Sequence, residues 1–175
     1  ITQCRAQGLY PMAYYPHNIH FLWFAATYDV QSKVAFDSAK KIAAKIPDPV
    51  LAEMPLTAGF RVVPYWANVR FGQWDAILAE PAPPATNVFL TAAWHFARGV
   101  ALVATGRIDD AERALAALTP LIADKQLDAP LFSPNSGRAI MSIAPAVLGG
   151  EIAAAKGDYD RAIAHLEHGV RLEDT

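Results

Sequence analysis

Two histidines three residues apart, His17 and His20, stand in the run YYPHNIHFLW, Tyr14 to Trp23. On a helix, residues i and i+3 share a face, so the two imidazoles are spaced to share an ion or a ligand. A transition-metal site needs three or four ligands, and no carboxylate accompanies the pair in sequence. His95, Asp29 or Cys4 would have to be brought in by the fold. The same run suits the beginning of a helix, where the missing N–H of Pro16 leaves no bond unmade. No metal and no cofactor is therefore assigned. A metal- or small-ligand-binding protein centred on His17, Asn18 and His20 is the alternative reading.

Covalent and acid–base chemistry find less support. A nucleophile needs a positioned base and an oxyanion site. Cys4 is the single cysteine, too few for a disulfide within the chain or a thiolate zinc site. No serine lies in a nucleophile-elbow pattern, and no glycine-rich phosphate loop follows a strand. His20 with Glu151 or Asp29 would make an acid–base pair only if folding joined them. No catalytic residue is assigned, and an enzyme would have to be completed by segments outside these residues.

The elements that would carry these side chains follow from composition and spacing. The 175 residues are 53% hydrophobic and only 18% charged, below the roughly 25% of ordinary soluble domains. Little polar surface is available, so part of the apolar surface is expected to be covered by something else. A formal net charge of −2 offers no basic footprint for nucleic acid or an anionic membrane surface. The longest apolar stretch, Ala139 to Ala155, is interrupted by Pro145, Gly149, Gly150 and Glu151 and falls short of a clean spanning helix. The chain opens at Ile1 without a signal-peptide pattern and reads as a piece of a longer protein, while its single cysteine leans towards a cytoplasmic setting.

Four stretches share one local grammar of apolar run, small residue, polar turn and second run. Aligned on the turn, Val30, Gly72, Gly106 and Gly157 are equivalent, at spacings of 42, 34 and 51 residues. Five places later stand Ala35, Ile77, Ala111 and Ala162. A glycine at the turn can take positive φ and end the first helix. Asp158 is suited to cap the helix after Gly157, whose apolar positions Tyr159, Ile163, Leu166 and Val170 recur at helical spacing. Gly106, Asp109 and Ala111 repeat this logic, followed by Leu115, Leu118 and Leu121. Ala162 is small where a paired helix must approach closely. Sustained alternation is missing and β-branched residues are sparse, which excludes a strand-based fold. The chain is predicted to be all-α.

The stretch GGEIAAAKGDYDRAIAHLEHGVRLED resembles a tetratricopeptide repeat through Gly150, Gly157, Tyr159, Ala162 and Gly169. ARGVALVATGRIDDAERALAAL resembles it through Gly99, Gly106, Ala111 and Leu115, while the first two units are degenerate. YYPHNIHFLW, RFGQWDAILAEP and WHFARGVALVATGR are similar to landmarks of a group of bacterial tetratricopeptide-repeat proteins, which implies a scaffold and supplies no reaction. The resemblance implies one α–α superhelix over residues 1–175, built of about four antiparallel hairpins at roughly 16–46, 55–80, 87–124 and 138–173.

In that frame the first helix of each hairpin lines a concave groove. The resemblance places His17, His20 and Phe24 on the groove wall, with Asn18 beside them, then Trp66 and Arg70, then Phe96, then Glu151. Phe21, Leu22 and Trp23 are expected to pack the first helix, and Arg98 to pair with a carboxylate or cap a helix. Such a wall is apolar and lacks the basic residues of an acidic-tail clamp. It implies a non-enzymatic scaffold that receives a peptide or protein segment, the remainder of its own chain included. Trp66 is the best single anchor on that wall.

Overall fold

In the computed structural model, which describes residues 14–129, 131 and 135–174, four residues take the left-handed backbone conformation. They are the four aligned turn positions: Val30 at φ 57°, Gly72 at 66°, Gly106 at 75° and Gly157 at 78°. After three of these turns the next N–H reaches back five residues, from Gln31 to the Ala26 carbonyl, Arg107 to Leu102 and Asp158 to Ala153. These bonds close a helix end whose last carbonyls would otherwise be unpaired. The residues five places on are all buried: Ala35 and Ala111 at 0%, Ile77 at 2% and Ala162 at 5% exposure.

All the regular structure is helical, with no strand among the described residues. The chain divides into two compact units, Ile1–Phe71 and Gly72–Thr175. The first holds α1 (Tyr15–Tyr28), α2 (Ser32–Ala43), α3 (Asp48–Glu53), α4 (Ala58–Arg61) and α5 (Val63–Arg70). α1 packs on α2, and α2 packs on α4 and α5. Its core is Ala35, Ala39, Ile42 and Ile46 against Ala58, Phe60, Val62, Val63 and Ala67. The interruption at Val62 precedes Pro64, which has no N–H to continue the α4 ladder.

The second unit holds α6 (Trp74–Ala79), α7 (Val88–Ala104), α8 (Ile108–Leu121), α9 (Gly137–Met141), α10 (Ile143–Ala155) and α11 (Tyr159–Glu173). The pairs α7–α8 and α10–α11 are joined by the Gly106 and Gly157 turns, and α10 also packs on α7 and α8. α6 stops before Pro81, and Asn87 starts α7 by accepting the Leu90 N–H at 2.9 Å. Asp158 caps α11 through the Arg161 N–H at 3.1 Å. The cap of α8 differs from expectation: Arg107 is its N-cap, and Asp109 lies in the first turn.

Small residues set how closely these helices approach. A Cβ on Gly99 of α7 would fall 2.9 Å from Leu148 Cδ1, and one on Gly150 would fall 2.9 Å from Leu166 Cδ2. Leu148 is fully buried, a burial that stabilises by roughly 1.5–3 kcal/mol. The segment Gly137–Ala155, of mean hydropathy 1.3, is long and apolar enough to cross a membrane by length and composition only. Here it supplies buried Met141, Ala144, Ala146, Leu148, Ile152 and Ala153 to the core of the second unit, and it is interrupted at Ser142.

Three arginines hold the ends of preceding helices. Arg61 donates to the Ile46 carbonyl at 2.8 Å and the Ala43 carbonyl at 3.4 Å, beyond the end of α2. Arg98 donates to the Leu78 carbonyl of α6 at 2.7 Å while lying 4.8 Å over the Trp94 ring. Arg138 donates to the Ile122 and Asp124 carbonyls past α8, and pairs with Asp128 at 2.7 Å. Each cation meets the negative end of a helix, where unpaired carbonyls collect.

Candidate functional site

α1 has two unlike faces. Pro16, Ile19 and Ala26 are buried, and Trp23 and His20 are half-buried beside them. On the opposite side His17, Phe21, Phe24 and Tyr28 recur at i, i+4, i+7 and i+11, which aligns them in one stripe. Phe21 is 59% exposed, Phe24 50% and Tyr28 72%. Their rings are in contact along the stripe: His17 meets Phe21 edge-on at 4.7 Å, and Phe24 meets Tyr28 at 4.7 Å. Leu22, 53% exposed, borders the stripe. The expectation that Phe21 and Leu22 pack the helix is therefore corrected; of the three, only Trp23 turns inward. The small contact residues of the α1–α2 seam, Ala26 and Ala35, take the place those larger side chains were assigned.

The two histidines have different surroundings. His17 is exposed, whereas His20 lies 5.1 Å from Trp23 and 5.6 Å from Phe60. Burial, and then the neighbouring His17 charge, hold the His20 imidazole below its ordinary pKa. Nearby, the Trp23 indole N–H is buried and has no hydrogen-bond partner among the described residues. Among the described residues, no three His, Cys, Asp or Glu side chains gather as metal ligands, and Cys4 lies outside those residues.

The remaining wall candidates are distributed over both units. In the first, Asn18 is exposed on α1, Trp66 is half-buried on α5 and Arg70 is exposed at the end of α5. In the second, Phe96 is half-buried on α7 and Glu151 is exposed on α10. His95, next to Phe96, is held below its ordinary pKa by burial first and by the Arg98 charge second. Trp94 meets His95 edge-on at 4.9 Å and donates its indole N–H to the Glu80 carbonyl at 3.1 Å.

Two further features of the second unit were not anticipated. A cleft of about 310 Å³ opens between α8, α10 and α11, with Leu115, Ile152 and Ala153 in its apolar lining. Glu112 and Lys156 pair across it at 2.5 Å, and His165 lies against Gly149, where a Cβ would come within 3.1 Å of the imidazole. On α11, Tyr159, Ile163, Leu166 and Val170 are 67%, 55%, 42% and 57% exposed. The seam with α10 is made by Ala162 and Gly169, which are buried, with Leu166 against Gly150, while Tyr159, Ile163 and Val170 are left outside.

Both unpartnered stripes were present in the spacing, since a period of three to four marks an apolar face without saying what covers it. Both stripes expose mainly apolar and aromatic side chains. A scan of protein-family models gives no match, and neither the curated proteins nor the solved structures contain one.

Proposed function

We propose that this chain is a non-enzymatic helical-repeat interaction module of the tetratricopeptide kind, which binds a peptide or protein segment through apolar helix faces. The single observation that carries the reading is the aromatic stripe of α1, in which Phe21, Phe24 and Tyr28 are each at least half exposed. A contiguous run of exposed large apolar side chains marks a surface that meets a partner. Aromatic residues supply much contact area with few rotatable bonds and are enriched among binding anchors. Helical hairpins whose two helices are joined at left-handed turns support the repeat reading. On this reading Phe24 is the anchor, His17 and Asn18 form the polar border, and Trp66 and Arg70 belong to the same wall.

The test is site-specific photo-crosslinking in the cells that encode the chain. A crosslinker at Phe24 should capture a polypeptide, and one at Lys33, exposed on α2, should not. Equal capture from both positions, or none from Phe24, would remove the reading.

A further inference from the structure

We infer that the outward face of α11 is a separate docking surface for an amphipathic helix of a partner polypeptide, one with basic residues along the edge of its apolar stripe. Tyr159, Ile163, Leu166 and Val170 stand at i, i+4, i+7 and i+11 and form the apolar strip. Asp160, Glu167 and Asp174 repeat every seven residues, so they run as an exposed acidic row along one edge of that strip. Arg171 reaches Glu167 only at 3.8 Å, and the Glu167 side chain remains 65% exposed.

The α8 positions matching the strip are Ile108, Glu112, Leu115 and Thr119, counted from Gly106 as the strip is from Gly157. A helix, α10, packs on α8 there, and its Lys156 reaches Glu112 at 2.5 Å across the cleft. Glu112 stands at the place of Ile163, inside the strip, and a cation from the end of the neighbouring helix meets it there. On α11 the acidic edge holds three carboxylates, which asks for more basic charge from the occupant.

A second copy is a poorer fit. Two α11 helices meeting antiparallel through the same strip would set Asp160, Glu167 and Asp174 against their own counterparts, and like charges across such an edge oppose pairing. An anionic lipid surface is repelled by the same row. The surface rests on the reading of the chain as an interaction module, but it lies on a different helix from the α1 stripe and is tested separately.

The experiment uses the whole chain and two designed helical peptides with identical apolar stripes, one edged with lysine and the other with glutamate. Binding is followed by fluorescence anisotropy at low and high salt. The lysine peptide should bind at least about tenfold more tightly, and salt should weaken it. Ile163→Glu should abolish binding with the helical melt retained, since Ile163 is exposed. Asp160→Lys/Glu167→Lys should shift preference to the glutamate peptide. Phe24→Ser should leave this binding unchanged, so the α11 surface and the α1 stripe succeed or fail independently. Equal affinity for the two peptides, no switch on charge reversal, or concentration-dependent self-association lost in Ile163→Glu would each overturn the inference.

Discussion

Gly99 of α7 lies directly against Leu148 of α10, and its lack of a side chain is what lets the two helices meet. A Cβ at Gly99 would fall 2.9 Å from Leu148 Cδ1 and closer still to Cδ2. Leu148 is fully buried and has nowhere to move. Overpacking costs about 1–3 kcal/mol and alanine gains about 1 kcal/mol in a helix, so Gly99→Ala should lower stability by a net of up to about 2 kcal/mol. Gly149→Ala meets the partly exposed His165 ring, which can shift, so its cost should be smaller. Denaturant midpoints of the two variants decide the order.

Val30 is the degenerate member of the turn series. A β-branched residue at φ 57° is strained, and the left-handed region costs an ordinary residue about 1–2 kcal/mol. Val30→Gly should raise stability by about 1 kcal/mol after the extra chain entropy of glycine is subtracted. Gly157→Val should lower it by a similar amount. Thermal melts of the two variants should move in opposite directions.

Much of the fold was legible because these turns leave a local signature. The equivalence of Val30, Gly72, Gly106 and Gly157 could be read from the residues alone, and so could the small or apolar residue five places later. The arginine latches could not. Arg61, Arg98 and Arg138 find their carbonyl partners 14 to 20 residues earlier in the chain, and nothing local announces such a partner. The direction of the apolar stripes was hidden for another reason. Tyr159 and Ile163 have the right period for a core, yet Ala162 and Gly169 occupy the seam and leave the larger side chains outside. On α1, the candidate site was half legible: His17 and Phe24 were singled out, while Phe21 and Tyr28 between and beyond them were not.

Arg98 joins three groups, the Leu78 carbonyl, the Trp94 ring and the His95 side. Its hydrogen bond to Leu78 is charge-assisted, a class worth about 1.5–3 kcal/mol. Arg98→Ala should lower stability within that range, and Arg98→Lys should recover only part, because an ammonium loses the planar stacking on Trp94. Urea titrations of the three proteins give the comparison.

Acid should weaken the fold before its carboxylates titrate. His20 and His95 both have folded pKa values below the ordinary 6.5, burial being the main cause. Between the folded and unfolded values the unfolded chain binds more protons, so stability rises with pH across that interval. The full contribution is present above 6.5 and is lost as pH falls below it. Melting temperatures measured from pH 8 to pH 5 should decline for the native chain, and His20→Gln/His95→Gln should flatten the decline. An unchanged slope in the double variant would assign the acid sensitivity to other groups.

The most direct test of the central claim separates binding from folding on α1. Phe21→Ser/Phe24→Ser/Tyr28→Ser alters only exposed side chains, so its stability should stay within about 0.5 kcal/mol of the native chain. The polypeptide captured by a crosslinker at Leu22, beside the stripe, should disappear in that variant. Capture that persists with the three aromatics removed, or a variant that fails to fold, would contradict an α1 stripe whose purpose is recognition.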